Sequence, residues 1–329
     1  MIYAGIAVGC GGHKTKALSG LSRLHPSQSH PSLHDMSRPY APPFETFVAP
    51  ARVRPQLWRL IIGILVCAAM ILFGSFGLLL GLGNLLGQSR AWVFEVMSGE
   101  TVTHIHLILF SFLAMAAGPI IVAWYLHKRS AASLFGRGAW VIHDFTYAVM
   151  ICAPLLGLNL ALWSFFYDAV PNLSLSLWLM ALPLSLIGLF IQTGAEELLF
   201  RGYLQQQLAA RFRSPVIWCL FPSLLFGFVH YDETLPAQTI VLVIAATGVF
   251  GLAAADLTAR TGSIGAAWGF HFANNIAALT LVSLQGSLNA ISLYVTPYTD
   301  KDADLFPLFV SDMLTTVVIW LILRRMLSR

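Results

Sequence analysis

The sequence is poor in charge. Of its 329 residues only 10% are Asp, Glu, Lys or Arg, whereas 57% are hydrophobic and the mean hydropathy is +0.74. Soluble domains carry roughly a quarter charged residues, so a water-soluble globule of this size is excluded. Cysteine is scarce too: Cys10, Cys67, Cys152 and Cys219 show no CxxC spacing, which argues against a disulfide framework or a zinc–thiolate site. Three of them fall in apolar runs, where a thiol serves as a small buried hydrophobe. HExxH is absent, and no serine or cysteine nucleophile stands in an obvious motif. The segment Ile2 to Cys10 is short for a signal peptide and lacks a basic start. The net charge of +4 is modest, and no nucleic-acid partner is expected.

What the chain does have is long apolar runs, each near the ~20 residues that cross a bilayer core. From Trp58 onward eight spans are expected, at about 58–84, 104–126, 140–166, 174–201, 215–231, 238–257, 262–285 and 306–326. The fold class is therefore all-α, a polytopic membrane bundle with the lipid bilayer as its solvent. Residues 1–57 differ: they hold His13, His25, His30 and His34, then prolines at 39, 42, 43, 50 and 55, and read as a flexible Pro/His-rich cytoplasmic tail. Met36 opens a more ordinary beginning, MSRPYAPPFETF, and is a candidate start.

Of the nineteen lysines and arginines, all but Arg90, Lys301 and the intraspan Arg201 fall in alternate segments: before span 1, after spans 2, 4 and 6, and at the end of the chain. By the positive-inside rule both termini are cytoplasmic and the number of spans is even. The plasma (inner) membrane is the expected location. Close packing is marked by Gly77 and Gly81 in span 1 and by a ladder of Gly265, Gly269, Ala273 and Ala277 in span 7.

Charged side chains in a lipid core cost several kcal/mol, so each needs a reason. In Ala195-Glu196-Glu197-Leu198-Leu199-Phe200-Arg201, Glu197 and Arg201 stack four residues apart in the favourable acid-first order. Arg201 is expected to neutralise Glu197 and to leave Glu196 without an intrahelical partner. A desolvated, unpaired carboxylate suits a general base; an interfacial salt-bridge cluster is the alternative for this motif alone. Phe226 and His230 share a face at the end of span 5. In span 7, His271 and Asn275 point the same way, with Asn274 near that face, and spacing does not separate the two asparagines. Polar residues on three helices should converge rather than face lipid. A base, proton carriers and a neutral donor form the inventory for activating water against a carbonyl. His104, His106, Asp144 and Asp312 read as interfacial, capping or hydrogen-bonded residues, and Asp256 with Arg260 as a second acid-first pair.

Glu196-Glu197-x-x-x-Arg201, Phe226-x-x-x-His230 and His271-x-x-x-Asn275, in this order, resemble the three motifs of the CAAX protease and bacteriocin-processing (Abi) family. Its members are intramembrane endopeptidases, and the type II CAAX prenyl protease is the eukaryotic one. The resemblance covers about 174–285. It implies that Glu196 and His230 activate the hydrolytic water, that His271 and Asn275 stabilise the oxyanion, and that Glu197, Arg201 and Phe226 support them. It also implies a hydrophobic or lipid-anchored peptide or protein substrate. The family was long suspected of metal dependence. If a divalent ion such as Zn²⁺ took part, Glu196, His230 and His271 would hold it, but Asn is an unusual zinc ligand, and metal-free hydrolysis is the expectation.

Straight, full-length spans would place Glu196 near the cytoplasmic surface and His230 near the opposite face. An active site therefore requires span 4 to be displaced or kinked, as Pro183 permits, or the span 5–6 hairpin to turn within the bundle. Two other readings compete. A proton-coupled transporter would show an inverted repeat, and the halves lack self-similarity. A non-catalytic membrane partner or bacteriocin-immunity factor is the third.

Overall fold

The computed structural model describes residues 40–286, 288–302 and 305–327. The first part of the expected tail, with the histidines at 13, 25, 30 and 34 and the candidate start Met36, lies outside them. Its last part is not a tail. Pro42–Arg52 forms helix α1, because proline fits the first helical turn, where its missing N–H costs nothing. Phe44, Phe47 and Val48, at i, i+3 and i+4, form one buried face. Tyr40 adds to the docking by donating to the Phe212 carbonyl at 2.6 Å.

Among the described residues six helices are long and apolar enough to cross a membrane: α2 (Leu57–Leu85), α4 (Val102–Tyr125), α5 (Gly138–Trp163), α6 (Leu175–Arg211), α8 (Ala237–Thr261) and α10 (Phe306–Met326). A short helix, α3 (Ala91–Met97), connects the first two. The chain is thus a multi-pass membrane protein, but eight full spans are not found. Span 5 shortens to α7 (Val216–Phe228). Span 7 becomes α9 (Gly265–Ile276) and a π-helical turn, Ala277–Leu281. At about 1.5 Å per residue, the 13 residues of α7 reach some two thirds of the ~30 Å hydrocarbon thickness. Beyond α9 the chain enters a small sheet of order β1-β3-β2, where β1 (Val170–Pro171) runs antiparallel and β2 (Val282–Gln285) parallel to β3 (Tyr294–Thr299).

Small residues set the closest approach. A Cβ at Gly265 or Gly269 would overlap the backbone carbonyl of Val141 or Phe145, so α9 lies directly on α5. A Cβ at Gly77 or Gly81 in α2 would meet nothing within 4 Å, so this pair sets no close helix approach among the described residues.

Polar clamps join the helices. Asp144 is fully buried, accepting from Ser263 Oγ at 3.0 Å and from His143 Nδ1 at 2.9 Å. Asp256 binds Arg260 at 3.2 Å and also takes Trp320 Nε1 at 2.9 Å, which ties α8 to α10. His106, expected at an interface, is buried and bonds Ser185 Oγ at 2.9 Å between α4 and α6. Cys67 and Cys152 are buried free thiols and Cys219 is half-buried.

Candidate active site

The site is built where α6 changes its winding. The helix is α-helical to Glu197 and π-helical from Leu198 to Gln205, and such wide turns recur at functional sites because they displace side chains from the regular register. Glu197 and Arg201 are fully buried there. Arg201 Nη1 donates to Glu197 Oε1 at 3.0 Å, and Nη2 reaches the Gly251 carbonyl of α8 at 3.3 Å. The guanidinium also lies 4.7 Å from the Phe226 ring centre, a cation–π contact worth more once desolvated. One buried charge is thereby matched by another and by ring faces, as burial of an ion requires.

Glu197 Oε1 accepts a second bond, from His271 Nδ1 at 2.9 Å. That fixes a proton on Nδ1, because a carboxylate oxygen only accepts, and it aims Nε2 at Glu196, whose Oε2 lies 3.6 Å away. The separation is an ion-pair distance rather than a hydrogen bond, and Glu196 Oε2 is buried without a hydrogen-bond partner. Glu196 does have an intrahelical partner, contrary to expectation: Gln192, four residues earlier, donates Nε2 to its Oε1 at 2.6 Å. Gln192 Oε1 in turn accepts from Asn275 Nδ2 at 2.9 Å. A continuous polar chain therefore runs Asn275, Gln192, Glu196, His271, Glu197, Arg201 across α6 and α9.

His230 follows the end of α7. Its Nδ1 lies 2.7 Å from the Phe226 carbonyl, which only accepts, so a proton sits on Nδ1 and Nε2 is the atom left for chemistry. The Phe226 ring packs 4.9 Å from His230 and 5.9 Å from His271, and Phe250 packs 4.9 Å from His271. Because α7 is short, the α7–α8 hairpin turns early and brings His230 to the cavity that α9 also lines.

His230, His271, Asn274 and Asn275 line one cavity of about 170 Å³, with Gln192 in its wall. Both asparagines thus face it, and Asn275 makes the polar link. Glu196 stands one hydrogen bond behind that wall, and Glu197 and Arg201 lie behind His271. All seven residues singled out from the sequence therefore occupy one neighbourhood. Gln192 was missed. It stands at i−4 from Glu196 in an apolar span, so the same spacing that found Glu197 and Arg201 would have found it.

A divalent cation here would be held through Nε2 of His230, Nε2 of His271 and Oε2 of Glu196, because the other atoms are engaged. His271 Nδ1 and Glu197 Oε1 are spent on each other, Arg201 neutralises the same carboxylate, and His230 Nδ1 is tied to a backbone carbonyl. Among the described residues no three His, Cys, Asp or Glu side chains are grouped to hold an ion.

Comparison with known proteins agrees with the motif reading. Residues 174–277 match the family described as type II CAAX prenyl endopeptidase Rce1-like. The matched segment runs from α6 through α9 and contains every residue of the three motifs. The chain is also 24% identical over 253 residues, 74% of its length and 84% of the relative's, to the uncharacterised protein YyaK of Bacillus subtilis (strain 168). The matched family is a protease family, which supports a peptide hydrolase in general terms.

Proposed function

We propose that this chain is an intramembrane endopeptidase that hydrolyses a peptide bond with water activated by Glu196 and His230, without a metal. The observation that carries the reading is the polar chain from Asn275 through Gln192 and Glu196 to His271, with Asn275, Gln192 and His271 in the wall of a cavity that His230 also lines and Glu196 directly behind it. Gln192 holds one oxygen of Glu196 and leaves Oε2 free to accept a proton. His230, as the neutral ring, serves through Nε2 as the second acceptor. The water oxygen attacks the carbonyl carbon while its proton passes to this pair. His271, as an imidazolium balanced by Glu196 across 3.6 Å, offers Nε2–H to the oxyanion. Asn275 offers the second hydrogen of its amide, the first being spent on Gln192. Collapse of the tetrahedral intermediate breaks the C–N bond, and the amine leaves with the proton that the pair returns. A cavity enclosed by apolar helices suits a hydrophobic or lipid-anchored peptide or protein as substrate. The setting is the plasma (inner) membrane, with both termini cytoplasmic.

The test is cleavage of a membrane-peptide library by detergent-purified protein. Glu196→Gln keeps the shape but not the base, and kcat should fall about 10²–10⁴-fold, with wild-type cleavage unaffected by a chelator. Cleavage that survives Glu196→Gln would overturn the assignment of the base, and loss under chelator restored by Zn²⁺ would overturn the metal-free route.

A further inference from the structure

A larger cavity of about 380 Å³ adjoins the one just described, with α5 and α10 on its sides and Val282, Ser283 and Leu284 of β2 in its wall. The two cavities share Asn274, Phe309 and Asp312. Asp312 belongs to α10, outside the residues that match the protease family. It stands well past the N-cap Leu305, so it caps nothing, and among the described residues it makes no hydrogen bond or ion pair, contrary to the bonded role its position suggested. An ionisable side chain in an apolar span is costly unless it faces a cavity or a partner, and Asp312 faces the passage between two cavities. Neither cavity is lined by a lysine or an arginine, and the basic side chains in their walls are the site histidines His230 and His271 of the smaller one.

We propose that Asp312 is a specificity-determining residue that selects a cationic substrate residue, a lysine or arginine side chain or a free amino group, close to the scissile bond. The inference rests on the peptidase reading of the smaller cavity. An extended chain advances at most ~3.6 Å per residue, so a group bound at the shared wall sits within a few residues of a carbonyl held near His230 and His271. The apolar remainder of the substrate fills the larger cavity, and the basic group supplies the charge that Asp312 lacks. An acidic residue at the same place would set two carboxylates against each other in a poorly screened passage, and it would be rejected.

The experiment uses the full chain in detergent and dye-labelled twelve-residue apolar peptides in which Lys, Leu or Glu is scanned through each position. Cleavage is read by mass spectrometry and binding by fluorescence anisotropy. At one position wild type should prefer Lys to Leu by about ten- to a hundredfold, the range of a charge-assisted hydrogen bond, and should reject Glu. Asp312→Asn, which is nearly isosteric, should bring the Lys-to-Leu ratio close to one while Leu peptides are still cleaved. Asp312→Lys should invert the preference. A preference for Lys that is unchanged in Asp312→Asn would overturn the proposal, as would equal treatment of the three peptides by wild type, a result that needs no folded variant. If wild type cleaves nothing, the peptidase reading fails by itself. The binding data then decide the inference: tighter binding of Lys peptides that Asp312→Asn abolishes supports it, and equal binding overturns it.

Discussion

Single side chains in this protein show how a histidine's surroundings assign its proton. His230 and His271 are each held through Nδ1, one by a carbonyl and the other by a carboxylate, so both present Nε2 to chemistry. His127, just beyond α4, is held differently. Its Nδ1 donates to the Arg54 carbonyl at 3.1 Å, and its Nε2 accepts from Tyr203 Oη at 3.1 Å. Only the neutral ring can do both. Burial lowers its pKa to about 4, reinforced by the charges of Arg129, Arg59 and Arg54 and opposed by the bond to the Arg54 carbonyl. A histidine lowered from its usual ~6.5 binds its proton more readily in the unfolded chain, so its contribution to stability is complete above pH 6.5 and is lost as the pH falls toward 4. The loss should be at most about 2 kcal/mol, given the nearby surface. Thermal unfolding in detergent at pH 7 and pH 4.5 checks it: wild type should lose more stability than His127→Gln between the two. An equal loss would mean that His127 does not carry the dependence.

Helices add what residues cannot, a fixed distance between chains. Gly265 and Gly269 let α9 rest on the α5 backbone, and this seating holds His271 and Asn275 toward α6. Gly269→Ala should therefore destabilise the protein by about 1–3 kcal/mol through overpacking and loosen the site with it. Gly77→Ala, in open space on α2, should leave stability unchanged or raise it by up to about 1 kcal/mol through helix propensity. The pair of melting temperatures decides between a shared small-residue effect and a local one. The same contrast explains what could be read from the sequence. The Glu197–Arg201 pair and the ladder in α9 were legible because helical spacing is local. The lengths of α7 and α9 were not, because an apolar run continues whether its backbone crosses lipid or turns inside protein. Helix α1 was misread because its prolines signal a tail, yet two of them open the helix while Phe44, Phe47 and Val48 give it a face to bury. Asp312 required the fold itself, since nothing in the order of residues places α10 across a cavity from α9.

Across the whole molecule the short helices raise a question of parity. The six long helices alone do not preserve the alternation of charge, because Arg211 and Arg213 precede α7, Arg260 closes α8 and Arg324 closes α10. For α8 and α10 both to end on the basic side, the chain must first climb away from it, and only α7 and α9 with its π turn can carry that climb. If the basic segments share one side, the chain makes eight passes, two of them incomplete, and the largely exposed 229–236 loop turns short of the far surface. Cysteines placed one at a time at Glu100, Lys301, Arg137 and Ser214, and treated with a membrane-impermeant maleimide, test this arrangement against the unsubstituted chain as background. Glu100→Cys and Lys301→Cys should label in intact cells, whereas Arg137→Cys and Ser214→Cys should label only after permeabilisation. Glu233→Cys should react from the outside, more slowly than Glu100→Cys, because a helix of 13 residues stops about 10 Å short of a ~30 Å core. Rapid labelling at Glu233 would instead place that loop at the surface, and with it His230 too far out to share a cavity with His271.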